Sequence, residues 1–213
     1  MNQAIYKIGF WSGLVAFSAT VAYVIVQMLQ VYGVVSDPWS GILIYGFSLC
    51  ISIPFLIEIL VLYYTTSAAR KFWSHAALIF SIMYSVFVIA NYVVQLATVI
   101  PMTLQGKLEE VRLLDQTPHS MFWDFDALGY LFMGIATLFA AFAFERKGFQ
   151  NTLRRIFLAN AFVTPLIAFV YFYPHFTGKL ILIGLPWAFT APASMLSLGI
   201  FFKRRVGGIQ NAG

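Results

Sequence analysis

Phe72–Ile100 reads FWSHAALIFSIMYSVFVIANYVVQLATVI, with no Asp, Glu, Lys or Arg between its ends. A helix at the surface of a soluble protein carries charged residues on its outer face, and this run has none. At 1.5 Å rise per residue it exceeds the roughly 20 residues that cross about 30 Å of hydrocarbon. It reads as a transmembrane helix. Working outward, charged residues act as punctuation around similar runs. Lys7 and Asp37 enclose the first, Asp37 and Arg70 the second with only Glu58 inside it, Asp126 and Glu145 the fourth, and Arg155, Lys179 and Lys203 bound the last two. The predicted architecture is all-α: a single polytopic membrane domain over 1–213, a six-transmembrane-helix bundle. Its helices are expected at about 8–32, 41–64, 72–100, 122–144, 154–173 and 180–202, with an outer amphipathic connection at 101–121.

Composition agrees with a lipid-solvated chain. Of 213 residues, 61% are hydrophobic, 18% aromatic and only 10% charged, whereas a soluble domain carries roughly 25% charged residues. In lipid the backbone must satisfy its own hydrogen bonds, which leaves helices or closed barrels. Barrel strands would show short alternating segments; the long unbroken runs favour helices. The first run could pass for a secretory signal, but it continues to Tyr32, well beyond the roughly 7–15 apolar residues of such a signal. It reads as an uncleaved span. Cys50, the one cysteine, lies within a run and reads as a small apolar residue.

The distribution of Lys and Arg predicts orientation. Lys7, Arg70, Lys71, Arg146, Lys147, Arg154, Arg155, Lys203, Arg204 and Arg205 fall on one side, and only Lys107, Arg112 and Lys179 on the other. Both termini are therefore expected in the cytoplasm. The pI near 9.4 is explained by this topogenic signal and by attraction to anionic headgroups. Membrane lipids are the expected partners, and no nucleic acid is needed.

The outer side is net acidic and holds the one long connection, in which Leu104, Leu108, Val111 and Leu114 recur at helical spacing. That pattern predicts a short amphipathic helix at the interface. Thr117-Pro118 predicts the start of the fourth helix, Thr as N-cap and Pro in the first turn, with His119, Asp124 and Asp126 on its opening turns. Trp39, Phe72, Trp73, Phe122, Trp123, Tyr171, Tyr173 and Trp187 read as an interfacial aromatic belt.

Intramembrane polar residues are where function is sought. Glu58 is the most unusual: a carboxylate at its depth costs several kcal/mol unless it is protonated, paired or wet. Depth counting places Ser12, His75, Ser81, Asn160 and Ser197 level with it, so Glu58, Asn160, His75 and Ser197 are the candidate inner cluster for a proton relay or a polar ligand anchor. The plainer reading is a Glu58 hydrogen-bonded to Asn160 or a hydroxyl as helix glue. Gln27, Gln30, Asn91, Gln95 and Asp126 fall at comparable outer depth, beneath His119 and Asp124, and form a candidate outer vestibule. Asn91 and Gln95 share a helical face. No metal site is expected: His119 and Asp124 are off one helical face, and HExxH and paired cysteines are missing. No cofactor and no catalytic serine motif are read. Gly9 and Gly13, and Gly184, Ala188 and Pro192, form small-residue stripes suited to close helix approach or to a homo-oligomer contact.

The stretch Trp123–Phe144, WDFDALGYLFMGIATLFAAFAF, followed by Leu153-Arg154-Arg155-Ile156-Phe157 and Asn160, resembles small bacterial multi-pass membrane proteins of a family without an assigned activity. The resemblance implies a bacterial inner membrane and about six helices; it brings no catalytic residue. The leading functional expectation is binding or transport of a small hydrophobic or amphipathic molecule, proton-coupled through Glu58. The alternatives are an intramembrane lipid-modifying enzyme using His119 with Asp124 or Asp126, and an accessory subunit of a membrane complex.

Overall fold

The computed structural model describes residues 3–210. Its helices are α1 (Gln3–Val31), α2 (Trp39–Thr65), α3 (Lys71–Val94), α4 (Ile100–Leu104), α5 (Leu108–Val111), α6 (Met121–Ala143), α7 (Gly148–Phe172) and α8 (Trp187–Gln210). Among the described residues there is no strand. The protein is an all-α polytopic membrane bundle. Five of its helical stretches are long and apolar enough to cross a bilayer, and a sixth qualifies when a 3-10 segment, Gly178–Gly184, is taken together with α8 across a 41° bend. The bend falls at Leu185-Pro186, where proline lacks the N–H that would continue the ladder. The span expected at about 180–202 is thus a broken one.

The third span is continuous from Ala68 to Leu104. It joins α3 to α4 through a π-helical turn, Gln95–Val99, the kind of widened turn that often marks a functional site. It reaches past the expected end at residue 100, and the amphipathic helix expected in the connection shrinks to the single turn α5. The α6 start also differs from expectation. Ser120, not Thr117, is the N-cap, its Oγ accepting from the Trp123 N–H. Thr117 instead accepts the Ser120 N–H in the preceding turn, and His119 lies outside the helix at φ 67°.

The long helices close into a ring. α1 packs on α2 and α8, α2 on α3, α3 on α6, α6 on α7, and α7 on α8. In a chain apolar on all sides, residue size rather than polarity separates inward from lipid-facing positions. On α1, Tyr6, Gly9, Gly13, Ala16 and Thr20 recur every three or four residues and are buried, while Ile8, Trp11, Val15 and Ile25 face outward. A Cβ on Gly9 would lie 2.8 Å from Val61 Cγ1, and one on Gly13 would lie 3.0 Å from the Gly199 Cα of α8. This stripe is consumed inside the ring. On α8 it meets Gly199, while Gly184, of the other small-residue stripe, is nearest to Ile167 of α7.

Basic residues gather at one end of the ring. Arg70, before α3, is 3.8 Å from Glu145, between α6 and α7, and Glu145 is 3.0 Å from Lys147. The Lys147 hydrogen bond holds the Glu145 carboxyl below its usual range. Lys203 lies over the Phe10 ring and Arg204 over the Phe149 ring, which brings the start of α1, the start of α7 and the end of α8 to that same end. The half of the bundle next to it is filled by Phe55, Ile59, Leu62, Leu153, Phe157, Met195, Leu198 and Phe202, all nearly inaccessible. The other half is not filled, and the candidate site lies there.

Candidate functional site

At the acidic end a cavity of about 740 Å³ opens between the helices, roofed by the connections around Asp37-Pro38, Asp115 to Pro118, and Phe176 to Leu185. Its volume is in the range of pockets that enclose small organic ligands. Beneath it is a void of only about 20 Å³, and below that the aliphatic and aromatic core begins.

Asp126 forms the floor. It is 6% exposed and accepts hydrogen bonds from the Tyr92 hydroxyl at 2.6 Å, from the Tyr171 hydroxyl, and from Gln116 Nε2 at 3.1 Å. Helices α3, α6 and α7 and the connection after α5 therefore converge on one carboxyl group. Its sequence neighbour Asp124 is exposed, because residues two apart on a helix point about 200° apart.

Gln116 is the pin that holds the roof down. Its Oε1 accepts from Asn91 Nδ2 at 2.8 Å, and its backbone N–H donates to Gln95 Oε1 at 3.3 Å. Gln95 Nε2 in turn donates to the Leu114 carbonyl at 2.7 Å. The π turn begins at Gln95, and with Asn91 one turn earlier its side chain meets the connection. A second network climbs the opposite wall. The Tyr23 and Tyr130 hydroxyls are 2.9 Å apart, Tyr23 donates to Gln27 Oε1 at 3.3 Å, and Gln27 Nε2 donates to Gln30 Oε1 at 2.8 Å.

Aromatic rings make up most of the remaining wall. Trp187 packs edge-on to Tyr23 and Tyr130 at centroid separations of 5.8 and 5.2 Å, and Trp123 lies 4.5 Å from Tyr171 and 4.8 Å from Phe176. The Trp123 indole N–H donates to the Tyr171 carbonyl. Trp123 and Trp187 are buried, which corrects their assignment to the lipid-facing belt; Trp39 and Phe72 are exposed. At the rim, Ser40 donates to Asp37, and burial pushes the Asp115 carboxyl above its usual range, with Asp37 adding to the effect.

Of the expected vestibule residues, Gln27, Gln95 and Asp126 line the cavity together with Gln30, and Asn91 braces it through Gln116. His119 and Asp124 are exposed and outside the lining, so the structure does not assemble the His–Asp pair that a lipid-modifying enzyme was expected to use. Among the described residues no group of three or more His, Cys, Asp and Glu side chains is placed to hold a metal ion.

The inner cluster is dispersed. Glu58 is fully buried, and neither carboxyl oxygen makes a hydrogen bond of acceptable geometry among the described residues. It sits in the slot left by Gly13 of α1 beside the Gly199 backbone of α8. Asn160 lies across the ring on α7, where Nδ2 donates to Thr137 and Oδ1 accepts from Thr190. Ser197 bonds its own helix at the Ser194 carbonyl, and His75 is exposed against the Tyr63 ring. Equal depth placed these residues on one level, but α2 and α7 are on opposite sides of the ring. Sequence reading missed Tyr23, Tyr92, Tyr130 and Gln116 altogether. The usable signal was that all three tyrosines fall level with Asp126 or within a turn or two of it.

No protein-family model matches the chain, and no curated protein or solved structure is detectably similar to it.

Proposed function

We propose that this membrane protein binds a small amphipathic molecule in the cavity at its acidic end, that this end faces away from the cytoplasm, and that the membrane is a bacterial inner membrane. The observation that carries the reading is the contrast between the two halves of the ring. One is packed to the axis, and the other holds about 740 Å³ floored by a buried carboxyl with three donors already arranged around it. A buried polar network of this kind costs free energy to assemble unless it is fully satisfied, and natural pockets place a few such groups in otherwise apolar walls to orient a ligand. The mixture of apolar rings, amides and carboxyls supports an amphipathic ligand over a purely hydrocarbon one.

Ala188 of α8 lines the cavity and makes no hydrogen bond to the Asp126 network, and Ala188→Trp would place an indole inside it and obstruct it. Native mass spectrometry of protein released from lipid nanodiscs should show a copurifying small molecule on the wild type, reduced at least about tenfold in the variant by exclusion from the pocket. Equal occupancy in both would place the binding elsewhere.

Glu58 supports a second element, coupling of binding to protons. A fully buried carboxyl that no other side chain hydrogen-bonds among the described residues calls for an explanation, and intramembrane acids commonly serve proton relays. Ligand retention by the wild type should depend on pH, and Glu58→Gln should flatten that profile while leaving the protein folded. A variant with an unaltered profile would remove Glu58 from the mechanism.

A further inference from the structure

We propose that the ligand is an organic cation: a small molecule with an ammonium group, quaternary or protonated, on an apolar body. The inference rests on the reading that the cavity binds a ligand and adds the ligand's chemical class. Asp37, Asp115 and Asp126 come to the wall from three different parts of the chain, and no Lys, Arg or His contributes to it among the described residues. The basic residues of this end are turned away. Lys107 and Lys179 are exposed, and Arg112 lies 3.7 Å from Glu109 on the outside of the connection. An anion would meet three acids and no compensating charge, and a neutral ligand would strip water from those acids while offering nothing in return. A cation supplies the missing sign.

The rings select the kind of cation. Tyr23, Tyr130 and Trp187 line the cavity and meet one another edge to face, so its wall is built from rings whose faces carry a negative quadrupole. Such faces hold alkylammonium groups well. A bare metal ion needs converging oxygen or nitrogen donors at short range. The three acids are instead spread around a space of about 740 Å³, and no metal-binding cluster occurs among the described residues.

The test uses benzyltrimethylammonium and its uncharged carbon isostere, neopentylbenzene. Each is titrated into the full chain in nanodiscs of zwitterionic lipid, with empty nanodiscs as the partition control. Tryptophan fluorescence reports binding, since Trp123 and Trp187 are in the wall. The wild type should bind the cation at least about tenfold more tightly than the isostere. That preference should shrink to within about twofold in Asp126→Asn combined with Asp115→Asn. Should that pair fail to fold, Asp37→Asn with Asp115→Asn removes both rim carboxyls, leaving Asp126 at the floor, and should reduce the preference in the same direction.

Equal affinities in the wild type, or a preference that survives these substitutions, would overturn the cation assignment while leaving ligand binding in place. Binding of neither probe would also overturn it. If the wild type and Ala188→Trp, in addition, carried the same copurifying molecules, the reading beneath it would fall as well.

Discussion

Asp126→Ala is expected to destabilise the bundle by about 3 kcal/mol and to abolish ligand retention. The substitution leaves the Tyr92 hydroxyl, the Tyr171 hydroxyl and Gln116 Nε2 without their common acceptor. A buried donor so orphaned costs about 1–3 kcal/mol; water entering from the cavity side offsets part of the sum. Because Gln116 also holds Asn91 and is bonded to Gln95, the connection over the cavity should loosen too. Asp124→Ala is the internal control. Its side chain is exposed on the other side of the same helix, and the change should stay within about 0.5 kcal/mol. Reversible unfolding in mixed micelles measures both. Equal effects at the two positions would mean that Asp126 is not the node of the network.

Gly134→Ala should be comparably damaging, by about 2–3 kcal/mol, for a reason that involves no polar chemistry. Gly134 of α6 lies directly against Thr164 of α7; a Cβ there would overlap the Thr164 hydroxyl and come within 2.7 Å of Thr164 Cβ and Cγ2. Overpacking of this kind typically costs about 1–3 kcal/mol, and here the helix backbones must separate, because a β-branched side chain offers few alternative rotamers. Thr164→Gly in the same chain removes the clash, so the double variant should recover most of what the alanine loses after allowance for the helix cost of glycine, about 1 kcal/mol. Additive losses in the two single variants would show that the two residues do not meet.

The two substitutions mark what could and could not be read before the structure. The spans were legible because lipid imposes a length and an apolarity that Phe72–Ile100 meets at once. The boundaries that moved did so for local reasons: Ser120 capped α6 in place of Thr117, Pro186 broke the last span, and α3 ran through a π turn to Leu104. Asp126, Gln27 and Gln95 were legible as costly polar residues at one depth.

What depth cannot supply is angular position around the ring. Glu58 and Asn160 share a level but lie on opposite helices, Asp124 and Asp126 share a turn but not a face, and Trp123 and Trp187 looked interfacial while facing inward. Gln116 was invisible for a different reason. It lies in an irregular connection, where no periodicity announces that a side chain will reach back into the bundle.

The most direct measurement of the central claim is a high-resolution density map of the wild type in nanodiscs, prepared without prior detergent exchange. The account predicts non-protein density inside the acidic-end cavity, between Asp126, Tyr130 and Trp187, with the Gln116 pin closed over it. A cavity that has collapsed, with Tyr130 and Trp187 packed against α2 and no density between them, would contradict it.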